Sequence, residues 1–365
     1  MKAQNKPLKE PLFHVVKRDD LPWYKGLIIR IIAIVFALLF CSVLSSLLIG
    51  ANPIEFISTL FEGTFSSERR LWKFIKDSSV LLCIAIAITP AFRMRFWNLG
   101  AEGQALVGAL ASVAVIMYLG KSLPNPILII VMLLASVVAG AVWGCLPAIF
   151  KAKWGTNESL FTLMMNYIAS GLVAFFLMLW TPSGSSVLGS LAEGHLPIVV
   201  HEYFILIVAV LLLTAIVYIY LNYTKQGYEI SVVGESENTA RYIGIRVGKV
   251  IIRTMIISGA ICGLAGFLIV AGLDHSINTA TIGGMGFTAI MVSWLAKFNP
   301  LIMIGTAGFI TFLDQGAAQI TSNFNIDSAF PDMVVGIILF FIIGCEFFVG
   351  YKLKFRKSTK GGNKQ

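Results

Sequence analysis

Six uninterrupted apolar runs of about 20 residues constrain this chain more than any other feature. The first reads LIIRIIAIVFALLFCSVLSSLLI and covers residues 27–49. An α-helix needs about 20 residues to cross the hydrocarbon core of a bilayer, and the runs do not alternate in polarity as barrel strands do. The others cover residues 127–150, 160–180, 203–220, 250–273 and 333–351. The runs predict an all-α integral membrane protein, and a composition with only 13% charged residues agrees.

Four weaker apolar segments raise the predicted count to about ten transmembrane helices, within a range of eight to ten. They cover residues 79–91, 99–119, 283–296 and 301–320. The chain ends are rich in Lys and Arg, and such segments stay in the cytoplasm. We therefore expect both termini to be cytoplasmic, which requires an even number of spans. The predicted organisation is a basic N-terminal segment (1–26), a transmembrane domain (27–351) with a cytoplasmic loop at 224–249, and a basic tail (352–365).

Residues 51–77 disagree with this orientation. They are predicted to be extracytoplasmic, yet they carry Arg69, Arg70, Lys73 and Lys76. We interpret the segment PIEFISTLFEGTFSSERRLWKFIKDS as an amphipathic helix on the membrane surface.

Two of the weaker segments, 79–91 and 283–296, are too short to cross a bilayer as straight helices. Segment three opens with NLGAEGQALVGALA and segment eight with TIGGMGFTAIMVSWLA. Both are Gly-rich turns that lead into small-residue helices, five spans apart, as in an inverted repeat around a central path. The alternative is tight helix packing, which also favours Gly and Ala.

The sequence contains none of the common catalytic or ATP-binding motifs. It lacks a GxxxxGK[ST] phosphate loop and the HExxH, GxSxG and SxxK motifs. The cysteines lie in apolar runs without a CxxC pair, which favours buried hydrophobic positions over a metal or disulfide framework. The net charge of +9 indicates topology and contact with anionic lipid, not nucleic-acid binding. We predict no catalytic residue and no metal site.

Polar residues at the start of segment three are the first candidates for a translocation pathway. The stretch FWNLGAEGQ contains Asn98, Glu102 and Gln104 between two apolar runs. Its glycines, Gly100 and Gly103, permit a helix break and close helix approach. The polar groups would then satisfy freed backbone groups or line the path.

The stretch GTNESLFTLMMNYIA, at the start of segment five, adds Asn157 and Asn166 to these candidates. Thr156 would cap the helix, and Glu158 would favour its positive N-terminus. Asn166 lies deeper, where an amide must find a partner or line a wet path. For Asn166 we favour helix packing over direct contact with a solute.

The longest cytoplasmic loop contains GESENTARYIGI, which predicts a short helix. Gly234 precedes it, Ser236 would be its N-cap and Gly244 lies near its end. One interpretation is a surface helix on the bilayer. The other is a helix that docks into the groove of a soluble partner.

The three stretches FWNLGAEGQ, GTNESLFTLMMNYIA and VGESENTARYIGI, in this order, resemble permease subunits of bacterial ABC importers. The class includes ribose, simple-sugar and branched-chain amino acid permeases, and the chain looks most like the purine-nucleoside branch. The resemblance implies a second related permease, an ABC ATPase that binds ATP and Mg, and an extracytoplasmic solute-binding protein or lipoprotein. It also implies that the cytoplasmic loop carries the helix that couples to the ATPase. The coupling positions that it implies are Gly234, Glu235, Asn238, Ala240, Arg241 and Gly244.

The leading hypothesis is therefore a nucleoside permease subunit in the bacterial cytoplasmic membrane. The same role for a simple sugar such as ribose is an alternative. A secondary, ion-coupled transporter is another, and it would need carboxylates at depth in the membrane. The carboxylates within or beside the spans are Glu102, Asp314 and Glu346. Glu102 lies near an entrance and Glu346 close to the cytoplasmic end, so only Asp314 is suitably placed. A third class is a membrane scaffold or receptor subunit that transports nothing.

Overall fold

The computed structural model describes residues 13–18, 22–50, 52–181, 187–324, 326–327 and 329–355. Apart from one short sheet, one isolated β-bridge and the connecting segments, the described chain is helical. Its helices are α1 (Trp23–Ile49), α2 (Pro53–Phe65), α3 (Glu68–Arg93), α4 (Ala101–Leu119), α5 (Asn125–Trp154), α6 (Glu158–Trp180), α7 (Phe204–Tyr223), α8 (Lys225–Glu235), α9 (Glu237–Tyr242), α10 (Val247–Ile269), α11 (Met285–Leu295), α12 (Pro300–Phe324) and α13 (Phe330–Gly350). Most of the terminal basic residues, at 1–12 and 356–365, lie outside the described ranges.

Nine of the described helices are long and apolar enough to cross a membrane. They are α1, α3, α4, α5, α6, α7, α10 with its π-helical extension Val270–Asp274, α12 and α13. The short apolar helix α11 has 11 residues, which at 1.5 Å per residue is about half a bilayer core. The prediction of an all-α integral membrane protein is confirmed, and α11 brings the number of predicted segments to ten.

The chain divides into two compact units, the first of which contains α1 and α13. Arg30 on α1 and Glu346 on α13 form a salt bridge with an N–O distance of 2.6 Å. A charge on a membrane helix is costly unless it is paired, so this bridge fixes how the two helices face each other. Phe36 and Phe40 of α1 extend the contact against Phe341 of α13.

The first unit also contains a small antiparallel sheet that was not predicted. Strand β1 (Phe13–Lys17) pairs with β2 (Tyr351–Phe355). The two ends of the chain, which we expected to be separate segments, are therefore joined at these residues. The alternation in YKLKF is the period-two pattern of a strand, but its basic flanks led us to interpret it as part of a charged tail.

The second unit, Thr64–Phe312, is built around α10. Glycines on α4, α5 and α10 bring these helices into backbone contact. A Cβ atom on Gly263 of α10 would clash with the carbonyl of Ser136 on α5, and one on Gly266 would clash with the carbonyl of Ala105 on α4. Membrane helices associate through such small-residue contacts because lipid tails supply no hydrophobic driving force.

The prediction of one surface helix over residues 51–77 is wrong. The structure has two helices, separated at Ser66 and Ser67. Ser67 is the N-cap of α3 and its hydroxyl accepts a hydrogen bond from the Arg70 amide at 3.4 Å. A serine ends one helix and begins another because its hydroxyl replaces an intrahelical acceptor.

The prediction of a short span at 79–91 is also wrong, because α3 has 26 residues. Its first turns are charged, and these turns fall outside any purely apolar window. The other predicted short segment is confirmed as α11. That helix begins after Gly284, which has a φ of 80°, a left-handed conformation that glycine adopts without strain.

Candidate functional site

The polar stretch that opens segment three forms a break between two helices. Residues 96–100 are non-helical, and α4 begins at Ala101. Asn98 is fully buried and Gln104 is 1% exposed. The Asn98 amide donates to Gln104 Oε1 and to Ser258 Oγ on α10, both at 3.4 Å, and Gln104 Nε2 donates to Asn98 Oδ1 at 3.2 Å. Asn98 Oδ1 also accepts from the Gly100 amide at 3.0 Å, so the side chain substitutes for missing helical bonds.

Asn166 on α6 binds the backbone within this break and in the first turn of α4. Its Nδ2 donates to the Leu99 carbonyl and its Oδ1 accepts from the Gly103 amide, each at 2.9 Å. Thr162, one turn earlier on α6, accepts from the Leu99 amide at 3.1 Å. The first amides of a helix lack intrahelical partners, and α6 provides one for the Gly103 amide.

Glu102 connects the two Gly-rich openings that resemble each other in sequence, at the start of α4 and at the start of α11. Its carboxylate oxygens accept hydrogen bonds from the Gly284 amide at 2.9 Å and the Gly286 amide at 2.8 Å. These amides belong to the first turn of α11, where a helix dipole favours negative charge. A Cβ on Gly286 would come within 2.6 Å of the Glu102 amide nitrogen, so only glycine permits this approach.

The predicted pathway residues therefore fall into one connected region and one separate position. Asn98, Glu102, Gln104 and Asn166 all surround the start of α4 and use their polar atoms within the protein. Asn157 is exposed at the start of α6, where it accepts from the Leu160 amide at 3.1 Å as the N-cap. The geometry of Asn166 agrees with the packing alternative that we favoured.

The predicted cap of α6 is wrong by one position. Asn157, not Thr156, caps the helix, and the Thr156 hydroxyl is buried with no hydrogen-bond partner in the described part of the chain. Glu158 lies in the first turn as expected and forms a salt bridge of 2.8 Å with Lys151 on α5.

The short helix in the long loop is present as predicted. It is α9, with Ser236 as N-cap accepting from the Thr239 amide at 3.2 Å. Gly244 follows it with a φ of 87°, a conformation that favours glycine. The loop differs from expectation before α9, where α8 occupies residues that we had assigned to a connection. Gly234 consequently lies inside α8.

The predicted coupling positions divide into buried and exposed groups. Ala240 is fully buried and Gly234 is packed so closely that a Cβ would clash with the carbonyl of Arg93 on α3. The other four predicted positions are exposed: Glu235, Asn238, Arg241 and Gly244. Sequence reasoning missed Tyr242, which is 93% exposed, and Ile243, which is 51% exposed. An exposed aromatic next to an exposed aliphatic residue is typical of an interface anchor, and the adjacent YI pair after the charged positions was the available signal.

The opposite side of the second unit carries a loop that covers the end of α10. The amides of Leu188, Leu191 and Leu196 donate to backbone carbonyls between Ala271 and Ile277. The rings of His195 and His275 lie 3.9 Å apart between centroids. Burial, followed by the electrostatic effect of His195, lowers the pKa of His275 below 6.5.

The nine long apolar helices among the described residues are those of a multi-pass membrane protein. The chain matches the model of the family described as branched-chain amino acid transport system / permease component over residues 70–343, and it belongs to that family. The recognition made from the three motifs is therefore confirmed.

Similar proteins include permeases for different solutes. The guanosine ABC transporter permease NupP of Bacillus subtilis is 28% identical over 92% of this chain and 98% of its own length. The glucose ABC transporter permease TsgB13 of Haloferax volcanii is 27% identical over 86% and 87%. The nucleoside ABC transporter permease NupB of Lactococcus lactis is 26% identical over 92% and 95%.

Proposed function

We propose that this chain is the permease subunit of an ABC importer for nucleosides in a bacterial cytoplasmic membrane. The observation that carries the proposal is the short helix α9, which presents an exposed Tyr242 at its end and an exposed Ile243 directly after it. The helix is bounded by a capping serine and a left-handed glycine. The names of NupP and NupB support the choice of nucleosides. ATP and Mg would be bound and used by a partner ATPase.

In this proposal, α8 transmits a movement of the partner ATPase to the transmembrane helices. Gly234 lets α8 approach the carboxyl end of α3 at Arg93, and residues 96–100 follow directly. The carboxylate of Glu229 on α8 also forms a 3.0 Å salt bridge with Arg253 on α10. A push on α9 would therefore reach both α10 and the break that precedes α4.

The proposed path includes Asn98, Glu102, Gln104, Asn157 and Asn166. In the present conformation, the polar groups around α4 bind backbone and side-chain atoms of neighbouring helices. We infer that these bonds are exchanged for contacts with a polar solute or water when α4, α6 and α11 separate. The exchange also releases the backbone amides of Gly103, Gly284 and Gly286, and the solute or water must satisfy them because an unpaired buried amide is costly.

The remaining partners of the proposed complex are a second related permease and an extracytoplasmic solute-binding protein or lipoprotein. A simple sugar is the alternative solute, and the glucose permease among the relatives favours it. An ion-coupled mechanism is less supported, since Glu346 is already paired with Arg30 at 2.6 Å. Asp314, the candidate at depth in a span, is exposed on α12.

Co-purification tests the docking helix. Arg241→Glu and Tyr242→Ala should each release a co-expressed soluble ATPase with a Walker A motif, while the permease still elutes as a folded monodisperse protein. Tyr118→Ala is the matched control, because Tyr118 is 67% exposed but lies at the other end of the transmembrane unit on α4. Retention of the ATPase by both α9 variants would reject the assignment of α9.

A further inference from the structure

A cavity of about 580 Å³ lies among α3, α7 and α12 of the second unit. Its volume falls within the roughly 300–1,000 Å³ of small-molecule sites. Phe65 is 58%, Leu211 is 47% and Ile304 is 42% exposed, so the cavity opens sideways on a surface formed by membrane helices. The full lining is Phe65, Phe74, Ile75, Ser78, Ser79, Leu82, Ile207, Leu211, Ile304, Gly305, Gly308, Phe309 and Phe312.

The cavity has the shape of a groove parallel to the helices. Its lining on α12 extends from Ile304 to Phe312, and the eight helical rises between them, at 1.5 Å each, make about 12 Å. On α3 the lining extends over the same number of residues, from Phe74 to Leu82. Such a groove accepts a linear molecule that lies along the bilayer normal.

The end of the groove nearest the amino end of α3 lies near a membrane–water boundary. Trp72 stacks on His201 with ring centroids 3.9 Å apart, and the Lys76 ammonium lies 5.6 Å from the centroid of the Tyr203 ring. Aromatic and charged residues collect at the level of the lipid headgroups. Ser78 lies one helical turn after Phe74 and is therefore close to the depth of the lipid ester groups.

The lining chemistry favours a hydrocarbon with one polar contact. Apart from two serines, the lining residues are apolar side chains and glycines. The Ser79 hydroxyl donates to the Ile75 carbonyl at 2.7 Å, but the buried Ser78 hydroxyl has no hydrogen-bond partner among the residues that the structure describes. One hydroxyl could not satisfy the polar groups of a nucleoside, and leaving those groups unpaired would oppose its binding.

We propose that this groove binds an acyl chain of an anionic phospholipid from the leaflet at the amino end of α3, with the Ser78 hydroxyl donating to the lipid ester carbonyl. The start of α3 favours an anionic headgroup, because residues 68–77 hold four basic and two acidic side chains. Arg69 and Lys73 among them are exposed. Lys76 is already paired with Asp77 at 3.2 Å, so the lipid phosphate would offset the exposed charges of Arg69 and Lys73.

Photolabelling of the purified, reconstituted permease tests the proposal. A phosphatidylglycerol with a diazirine in its acyl chain is added in trace amounts, and label on α3 and α12 peptides is measured. Gly308→Leu fills the groove, because the Cβ position meets only the Phe74 ring at 3.7 Å. Gly305→Leu is a second filling variant with open space at the Cβ position, and Gly171→Leu on α6 is the matched control with equally open space.

We expect both filling variants to lose label about tenfold, the loss that corresponds to roughly two methylene groups no longer buried. Gly171→Leu should keep the wild-type amount of label. A phosphatidylcholine analogue should label the wild-type protein less than the phosphatidylglycerol does. Equal labelling of wild type and both filling variants would overturn the proposal, since it would indicate ordinary surrounding lipid. Displacement of the label by guanosine would also overturn it, because the groove would then be a solute site.

Discussion

Replacing Asn166 with alanine should loosen the start of α4. The substitution leaves the Leu99 carbonyl and the Gly103 amide without their 2.9 Å partners. Hydrogen bonds between membrane helices contribute about 0.6 kcal/mol each on average and up to about 1.7, because the unfolded chain in the membrane also finds partners. Two lost bonds therefore predict a decrease of about 1–3 kcal/mol in the free energy of unfolding.

Thermal unfolding followed with a thiol-reactive fluorogenic dye measures this loss. Cys83 and Cys262 are fully buried and react only after unfolding. Asn166→Asp should have an intermediate effect, since it keeps an acceptor for Gly103 but loses the donor. Tyr167→Ala, at a position on α6 that is 69% exposed, is the control. Equal midpoints for Asn166→Ala and this control would refute the reasoning.

Three further predictions concern the packing, the α4–α11 contact and pH. Gly263→Ala should lower the midpoint strongly, because its Cβ would clash with a backbone carbonyl of α5, whereas Gly171→Ala has open space and should not. Glu102→Gln should cost about 0.3–2 kcal/mol, since it removes the negative charge from the N-terminus of α11; an unchanged midpoint would contradict this. His275 has a lowered pKa in the folded protein, so its contribution to stability is complete above pH 6.5 and is lost as the pH falls below that value. His275→Gln should flatten this pH dependence of the midpoint, and a variant that keeps the wild-type slope would exclude His275 as its source.

The membrane spans could be predicted because each is a long apolar run, but the boundaries of α3 could not. The apolar run in α3, followed towards the N-terminus, ends at Asp77 and Lys76, although the helix itself extends back to Glu68. The charged turns of α3 are packed through Trp72, which stacks on His201, and through Lys76, which lies over the Tyr203 ring. These contacts depend on tertiary structure, which no local pattern encodes.

The candidate site could be located from sequence but its contacts could not. Asn98 and Glu102 stand out as polar residues in an apolar region. Their partners Ser258 and Gly284 lie 160 and 182 positions away. No pattern within one segment indicates which distant backbone amide a carboxylate will meet. The likeness between the two Gly-rich openings was the only sign that they belong together.

For the short helix α9, too, the sequence predicted the position but not the contacts. The N-cap Ser236 and the terminal Gly244 were readable because capping follows local rules. The burial of Ala240 and the exposure of Tyr242 depend on which face of α9 packs inward. A helix of six residues is too short for its apolar face to be recognised by periodicity.

Uptake of radiolabelled guanosine into right-side-out vesicles tests the central claim most directly. The vesicles would hold the co-expressed complex and be loaded with ATP or with a non-hydrolysable analogue. We predict uptake only with ATP, insensitivity to collapse of the proton gradient, and its loss in Tyr242→Ala but not in Tyr118→Ala. Uptake that persists without ATP hydrolysis and disappears with the proton gradient would contradict the account.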